Sequence, residues 1–290
     1  MTGPIFNIYG GTAVSGGALS PRSQRSNLGQ ADSVRRGGAR NYSIATGGTV
    51  RTYAANGVNY KSHTFTSSSN FVVTALGDNP AFDILVVGGG GGGGGTQLGR
   101  GLGDGGGGAG GYVTTTMNLP VATYQVTVGG AGGGYGGSGG TSSFGTSPLS
   151  LITAGGGGGG GGCEYCFGGG GSGGSATVGG SLGTNSTTTA GFTGRSGGGS
   201  LSGQTNGSNN YMDGTTQYYS STAGSSANGG NSPAGGVGAS AGNNGQTGPG
   251  TCTNSTATTY GTGGVGGTPN CGTGTAGAQG VVIVRYEFLA

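Results

Sequence analysis

The sequence predicts an all-β protein: a small β-sandwich and a glycine-rich bundle of polyglycine-II helices, preceded by an extended N-terminal arm. Glycine accounts for 83 of the 290 residues, about four times its usual share. The apolar residues lie in short segments that alternate or run continuously, as strands do, and no helical period of 3.6 residues is present. Charge and glycine are also separated along the chain. Seven of the ten basic residues lie in the first 80 residues and 71 of the glycines lie after them.

Residues 1–60 are predicted to form the arm. Their basic side chains are consistent with a solvated, extended segment, or with a segment that docks on the acidic surface of other proteins in a larger assembly. No aromatic interleaving or basic helix accompanies them, so nucleic acid is not an expected partner. The candidate docking residues are Arg22, Arg25, Arg35, Arg36 and Arg40.

Residues 61–154 are predicted to form the sandwich. Residues 62–76 (SHTFTSSSNFVVTAL) alternate on both sides of a Ser-Ser-Ser-Asn turn and predict a β-hairpin. Residues 82–87 (FDILVV) predict a buried strand. Residues 112–117 and 123–128 alternate on either side of Leu-Pro-Val and predict a second pair of strands.

Two further segments are predicted strands. Residues 149–154 (LSLITA) give a weak signal, whereas residues 280–288 (GVVIVRYEF) give the strongest in the C-terminal part. This last segment would be an exposed apolar edge if it stood alone. We therefore expect residues 280–290 to close the sandwich.

Residues 155–279 are predicted to form a polyglycine-rich insertion with exposed loops. Flexible linkers and a silk-like cross-β sheet are the alternatives. An ordered bundle is favoured because glycine runs such as 88–95 and 155–162 directly continue predicted strands. In a bundle of three-residue helices, each backbone N–H and C=O can pair with a neighbouring helix.

Ionisable side chains are too scarce to predict an enzyme or a bound cofactor. The chain has one histidine, His63, expected at a surface or half-buried position, and its seven acidic residues are scattered. General acid–base pairs, catalytic triads and carboxylate metal sites all need such groups close together. No apolar run approaches the roughly 20 residues of a membrane span. The first residues lack the features of a signal peptide, so we expect synthesis in a cytoplasm.

The four cysteines are Cys163, Cys166, Cys252 and Cys271. Cys163 and Cys166 have the spacing of half a zinc knuckle, but the other two are too far apart in sequence to complete one. Disulfides, free thiols and a zinc site therefore remain open, and no metal site is predicted.

Aromatic residues of the glycine-rich half are candidates for contact with a receptor because they offer rigid, amphipathic area. They interrupt the glycine tracts in stretches rich in Ser, Thr and Asn. The same rings could instead cap the ends of a bundle. The candidates are Tyr165, Phe167, Phe192, Tyr211, Tyr218, Tyr219 and Tyr260.

Several blocks, in this order, resemble a known domain: HTFTSSSNFVV, FDILVV with its glycine run, GGGGAGGYVTTTM, YQVTVGGAGGG, GGTSSFG, LITAGGGGGGGG and GAQGVVIVRY. Together they are similar to the glycine-rich domain common in bacteriophage tail-fibre and receptor-binding proteins. The resemblance covers residues 61–290. It implies an adhesin in which stacked polyglycine helices form a rigid sandwich and loops at its end contact the host.

The expected function is therefore that of a phage virion protein, a tail-fibre tip that binds a host-surface glycan or an outer-membrane protein without catalysis. Its arm would contact other virion proteins. The alternative is a non-adhesive virion protein, either a capsid decoration protein or a tail appendage. A secreted ice-binding or matrix protein would need an export signal. A homotrimer is typical of fibre tips, whereas a polyglycine sandwich can satisfy its backbone within one chain.

Overall fold

The fold is known from a computed structural model, and the described residues contain strands and extended segments but no helix. The all-β prediction is thus confirmed. Residues 41–290 form one compact unit. Every described residue except Arg40 belongs to this unit. The described residues are 40–95, 104–145, 152–162, 169, 171–178, 183–189, 208–210, 212–214, 217–219, 259–267 and 274–288.

The strands form two six-stranded antiparallel sheets and one small two-stranded sheet. The first sheet has the order β1-β4-β7-β8-β9-β10, the second has the order β11-β6-β5-β14-β3-β2, and β12 pairs with β13. The strands are β1 (Ile44–Thr46), β2 (Thr49–Ala55), β3 (Val58–Phe65), β4 (Ser69–Ala75), β5 (Ala81–Val87), β6 (Tyr112–Asn118), β7 (Ala122–Thr127), β8 (Ser142–Phe144), β9 (Ile152–Ala154), β10 (Ala176–Val178), β11 (Gly183–Thr189), β12 (Ser208–Asn210), β13 (Gln217–Tyr219) and β14 (Val281–Glu287).

The main core lies between the two large sheets. Phe71, on β4 of the first sheet, is fully buried near its centre. Its ring lies 6.0 Å from that of Phe82 on the second sheet and 6.0 Å from that of Phe144 on the first. Both sheets therefore contribute alternate residues to one aromatic and aliphatic layer, as in a β-sandwich.

Two predicted strand pairings, the hairpin of residues 62–76 and the pair 112–117 and 123–128, are wrong in the same way. β3 pairs with β14 and β2, while β4 pairs with β1 and β7, so residues 62–76 cross from one sheet to the other. Likewise β6 belongs to the second sheet and β7 to the first. The crossing lets Phe65 and Phe71, on successive strands, both enter the core from opposite sides.

A hairpin that the sequence analysis did not predict joins β2 and β3. Its two-residue loop is Asn56–Gly57, and both residues have positive φ, 52° and 77°. Asn-Gly is the preferred pair for the type I′ turn, which requires this conformation. Strands β1 and β2 and the start of β3 lie within residues 1–60, the range predicted to form the arm. The tight turn pairs residues 49–55 with β3 and so adds them to the second sheet.

The last strand, β14, lies inside the second sheet between β5 and β3. Its first four residues, Val281 to Val284, are fully buried. Val282 and Val284 face the main core, whereas Val281 and Ile283 belong to a smaller cluster on the opposite face of the sheet. Both faces are covered, which explains the continuous apolar run.

Beyond the ends of the strands lies a set of glycine-rich segments, which we call the glycine bundle. It consists of residues 88–95, 104–111, 129–136, 137–141, 155–162, 171–175, 261–267 and 274–280.

Segment 88–95 is the centre of the glycine bundle, and its hydrogen bonds repeat every three residues. The N–H groups of Gly88, Gly91 and Gly94 donate to segment 104–111. Those of Gly89 and Gly92 donate to 137–141, and those of Gly90 and Gly93 donate to 274–280. Its carbonyl groups accept with the same period from 155–162, 261–267 and 129–136. A period of three is that of the polyglycine-II helix. The helix itself stays a prediction, which this period supports.

The six neighbours of the central segment also form a closed ring. Hydrogen bonds join 104–111 to 155–162, then in turn to 137–141, 129–136, 274–280, 261–267 and back to 104–111. Segment 171–175 lies outside the ring, bonded to 104–111 and 155–162. The buried backbone groups of the central segment thus find partners without any side chain.

The segments form outward and returning pairs. The chain leaves β5 along 88–95 and returns along 104–111 to β6; equivalent pairs join β7 to β8 and β9 to β10, and a fourth pair leads into β14. Two of these pairs lie within residues 61–154, so glycine segments from both predicted regions build one bundle. The reason is that the glycine runs of both regions, such as 88–95 and 155–162, directly prolong strands of the sandwich.

Candidate functional site

The end of the glycine bundle opposite the sandwich brings several chain reversals together, and we call it the far end. The amide of Gly94 donates to Gly105, and the carbonyl of Gly94 accepts from Gly267, each at 2.8 Å. Gly161 donates to Gly169 at 2.7 Å. The described residues that flank the stretches 96–103, 163–168 and 268–273 therefore lie at this level of the bundle.

A fourth reversal at the far end is the tight turn at residues 134–136. The amide of Gly136 donates to the carbonyl of Gly93 at 2.9 Å, and the amide of Gly92 donates to Gly137 at 2.7 Å. These two hydrogen bonds, made by Gly136 and Gly137, thus hold the turn on the central segment.

Tyr135 occupies the apex of this turn. Its side chain is 56 % exposed, and its φ of 67° is a conformation that favours glycine. Tyr135 is not among the predicted contact residues, which lie in Ser/Thr/Asn-rich breaks of the glycine tracts. A single aromatic residue between glycines, in GGGYGG, is the signal that could have found it.

The predicted receptor-contact residues are distributed over different places. Tyr165 and Phe167 lie outside the described residues, between Gly162 and Gly169 of the far end. Phe192 and Tyr211 also lie outside the described residues. Tyr260 is half-buried and packs against the outer cluster of the second sheet, away from the far end.

Tyr218 and Tyr219 lie on β13, paired with Asn209 and Ser208 of β12. The turn between these strands is anchored on the outer face of the second sheet. Met212 is buried there against Leu85, Val87, Tyr112, Val281 and Ile283. This arrangement associates the hairpin with the sandwich and not with the far end.

Tyr53 fixes the same turn by a hydrogen bond and by packing. Its hydroxyl donates to the carbonyl of Met212 at 3.1 Å. Gly214 has a φ of 79°, and a Cβ there would collide with the Tyr53 ring. Burial raises the pKa of Tyr53 despite its hydrogen bond with Arg285, so the hydroxyl is neutral at physiological pH.

Arg285 organises the charged part of this outer face. Its Nε donates to Asp83 at 2.9 Å, Nη1 donates to Tyr53 at 3.2 Å, and the guanidinium lies 4.6 Å from the ring centre of Tyr60. Burial alone would lower the pKa of Arg285, but the hydrogen bonds with Tyr53 and Asp83 raise it. These contacts link the side chains of Arg285, Asp83, Tyr53 and Tyr60 in one structural network that joins β2, β3, β5 and β14.

His63 is fully buried, so its expected surface or half-buried position is wrong. Its Nδ1 donates to the carbonyl of Gly47 at 2.7 Å, which leaves Nε2 to accept from the Tyr286 hydroxyl at 3.3 Å. The Tyr286 oxygen in turn accepts from the amide of Ala45. His63 therefore ties β1 and the following turn to the core.

The other predicted site residues fall mainly outside the described residues: Arg22, Arg25, Arg35 and Arg36 of the arm, and Cys163, Cys166, Cys252 and Cys271. Arg40 is exposed. Within the described ranges, no three His, Cys, Asp or Glu side chains come together where they could hold a metal ion. The described part of the chain also contains no helix long and apolar enough to cross a membrane.

A family model described as a glycine-rich domain matches residues 66–287, about three quarters of the chain. No curated protein matches the chain. The matched range spans the sandwich from the end of β3 to the end of β14 and contains all segments of the glycine bundle.

Proposed function

The chain belongs to the glycine-rich domain family, and from this premise we propose that it is a bacteriophage virion structural protein, a tail-fibre tip that binds the host cell surface. The observation that carries the proposal is the far end of the glycine bundle. Four chain reversals start from fixed positions on a bundle held by backbone hydrogen bonds. Variable loops on a rigid scaffold are the usual construction of a recognition surface.

The rigidity of the scaffold supports a binding function. Amides of the central segment donate to three neighbours and its carbonyls accept from three others, so little conformational entropy is left for a ligand to remove at the base of the loops. The expected ligand is a surface glycan or an outer-membrane protein. Binding without catalysis fits the scarcity of ionisable side chains in the sequence.

The N-terminal arm would hold the protein on the particle. Its five candidate arginines, Arg22, Arg25, Arg35, Arg36 and Arg40, carry an excess of positive charge suited to an acidic surface of other virion proteins. The proposed location is therefore the virion, on which the arm would hold the protein. A homotrimer is compatible with this arrangement.

Electron microscopy of intact particles, with a gold-labelled antibody against residues 205–225, tests the location. Label at fibre tips is the expected result. Label over the head or along the tail would instead support a capsid decoration protein or a non-adhesive tail appendage. Absence of label from particles would overturn the assignment to a virion.

Binding of the purified full chain to host cells tests the activity. The wild-type protein is expected to bind cells of the bacterium that the particle infects and not those of a resistant strain. A variant with Tyr218→Ala and Tyr219→Ala tests the second candidate surface. Loss of binding in that variant, with an unchanged melting temperature, would move the contact surface from the far end to the β12–β13 hairpin.

A further inference from the structure

We propose that residues 44–48, which form β1 and the turn after it, act as an acid-sensitive latch. Protonation of His63 would open this latch while the rest of the sandwich stays folded. The latch directly precedes β2, so its opening would lengthen the segment that joins residues 1–40 to the sandwich. The latch is a property of the fold and is independent of the proposed function.

A relay of three hydrogen bonds ties the latch to the core. The Nδ1–H of His63 donates to the carbonyl of Gly47 at 2.7 Å, and Nε2 accepts from the Tyr286 hydroxyl at 3.3 Å. The hydroxyl oxygen in turn accepts from the amide of Ala45 at 3.2 Å. Both ends of the relay are thus backbone groups of the latch, and both side chains between them are buried.

The relay requires a neutral imidazole at His63. In the neutral ring one nitrogen donates and the other accepts, as the two neighbours of His63 demand. Protonation turns Nε2 into a donor, so the Tyr286 hydroxyl has to rotate and its proton loses its acceptor. A buried donor is then left unpaired and a charge is buried in the same step, and both cost free energy.

The groups that pack against His63 offer no negative charge among the described residues. Tyr286 of β14 stacks on the imidazole, Phe71 of β4 contacts it edge-on, and Val50 of β2 lies opposite it. Burial lowers the pKa of His63, the accepting carbonyl raises it, and the positive charge of Lys61 on the same strand lowers it further. The closed latch therefore disfavours the protonated ring.

β1 is the part of this contact that opens at low cost. It has three residues, lies at the edge of the first sheet and pairs with β4 through a register shift. Ala45 is its one buried side chain, whereas Ile44 and Thr46 are exposed. Little apolar surface is thus lost when β1 separates from the sheet, and such poorly secured segments open locally before the whole protein unfolds.

The turn of the latch carries the chain from the first sheet to the second next to His63. Gly47 and Gly48 have φ values of 115° and 60°. A Cβ at Gly47 would collide with the carbonyl of Asn70, and one at Gly48 would press on the Phe65 ring. Because glycine gains the most backbone freedom on release, this turn also favours opening once the relay is broken.

The pH dependence of the latch follows from these two states. In the open latch, His63 is exposed to water and has its usual pKa of 6.5, whereas the pKa is lower in the closed latch. Below about pH 6.5 the open latch therefore binds a proton that the closed latch does not. The closed latch loses stability relative to the open one as the pH falls through this range.

Hydrogen exchange of single backbone amides, followed by NMR between about pH 7.5 and about pH 5.5, tests the latch. Protection factors are compared, because they correct for the intrinsic pH dependence of exchange. The Ala45 amide is expected to be less protected than the amide of Ile283 in β14 at each pH, since it opens without global unfolding. Its protection should fall by up to about tenfold over this range.

Equal protection of Ala45 and Ile283 would mean that β1 opens only with the whole protein. Protection of Ala45 that does not change with pH would remove the role of His63. Either result overturns the latch.

Tyr286→Phe removes the hydroxyl of the relay and keeps the ring in the core. At neutral pH it is expected to lower the protection of Ala45 relative to Ile283 about tenfold, because the Ala45 amide loses its acceptor. Tyr124→Phe is the matched control. Tyr124 is also fully buried, and its hydroxyl donates to the carbonyl of Pro120 at 2.7 Å, outside the relay. The control should leave the ratio of the two protection factors unchanged.

His63→Gln replaces the titrating ring by a neutral amide that can also donate and accept. The pH dependence of Ala45 protection is expected to disappear in this variant. The latch is wrong if His63→Gln keeps the wild-type pH dependence, or if Tyr286→Phe and Tyr124→Phe protect Ala45 equally. Should His63→Gln not fold, the wild-type pH series and the two tyrosine variants give the answer.

Discussion

Gly91 lies in the middle of the central segment, where a single methyl group would collide with the backbone. A Cβ at Gly91 would meet the carbonyl of Gly158, which itself accepts a hydrogen bond from Gly108. We expect Gly91→Ala to lower the free energy of unfolding by about 1–3 kcal/mol or more, since surrounding segments must move apart. Urea unfolding followed by circular dichroism measures this change.

Gly130→Ala provides the control for this substitution. Gly130 is exposed, has no positive φ, and a Cβ there would meet nothing within 4 Å. Its replacement by alanine should leave stability unchanged or raise it by about 0.4–1 kcal/mol, because the unfolded chain loses freedom. Equal effects of the two substitutions would contradict a close-packed bundle.

His63 makes the stability of the protein depend on pH. Burial lowers the pKa of His63 below its usual value of 6.5; its hydrogen bond to Gly47 raises it, and the charge of Lys61 lowers it further. Well above pH 6.5 the imidazole is neutral in both the folded and the unfolded chain. Below it, the unfolded chain binds a proton that the folded chain does not, so stability falls until the folded pKa is reached.

We therefore expect the free energy of unfolding to fall between pH 7.5 and pH 5.5, by at most about 1.4 kcal/mol per pH unit. The urea midpoint should decrease accordingly. His63→Gln should flatten the dependence. The imidazole resonances also report the folded pKa directly, because His63 is the single histidine. A folded pKa at or above 6.5 would contradict the predicted effect of burial.

At the scale of the element, the sequence located most long strands but not their partners. The alternation around Phe65 and Phe71 correctly marked two strands with core-facing rings. Alternation is the same whether successive strands lie side by side or in opposite sheets, so it could not distinguish a hairpin from a crossing. The Asn56–Gly57 turn, in contrast, has a local chemical signature and could have been predicted.

The last strand provides a test at this scale. β14 hydrogen-bonds to β5 on one side and to β3 on the other, so a chain ending at residue 278 would lose a central strand and expose the core. We expect this truncated chain to be insoluble on expression. A chain lacking only residues 289–290, which follow the strand, is the control and should stay soluble. A soluble, cooperatively folding 1–278 chain would contradict the central role of β14.

At the scale of the whole molecule, the sandwich and the glycine bundle should unfold together. Gly88 continues β5, Gly111 precedes β6 and Gly280 precedes β14, with no linker between bundle and sheet. Phe71→Ala, in the sandwich core, is expected to cost about 3–5 kcal/mol and to lower amide protection in both parts. Calorimetry and hydrogen exchange measure this; two separate transitions would show that the parts unfold independently.

The overall architecture was only partly predictable. Glycine runs that continue strands indicated order, and their composition excluded a side-chain core. Which runs become neighbours is decided by backbone bonds that are alike for every glycine, so the sequence carries no pairing signal comparable to the alternation of strands. The position of Tyr135 at the far end could not be predicted for the same reason, although its setting as a single aromatic residue between glycines is visible in the sequence.

The three-residue period of the central segment also has a consequence for variation in length. After every three residues, a segment presents the same set of donors and acceptors to the same neighbours. In the predicted polyglycine-II geometry, with a rise of about 3.1 Å per residue, adding one triplet to both members of an outward and returning pair would move its loop about 9 Å further from the sandwich. The bonding nearer the strands would not change. The length of a segment can therefore change in steps of three residues. Each step changes the distance of the loop from the sandwich and keeps the hydrogen bonds near the strands.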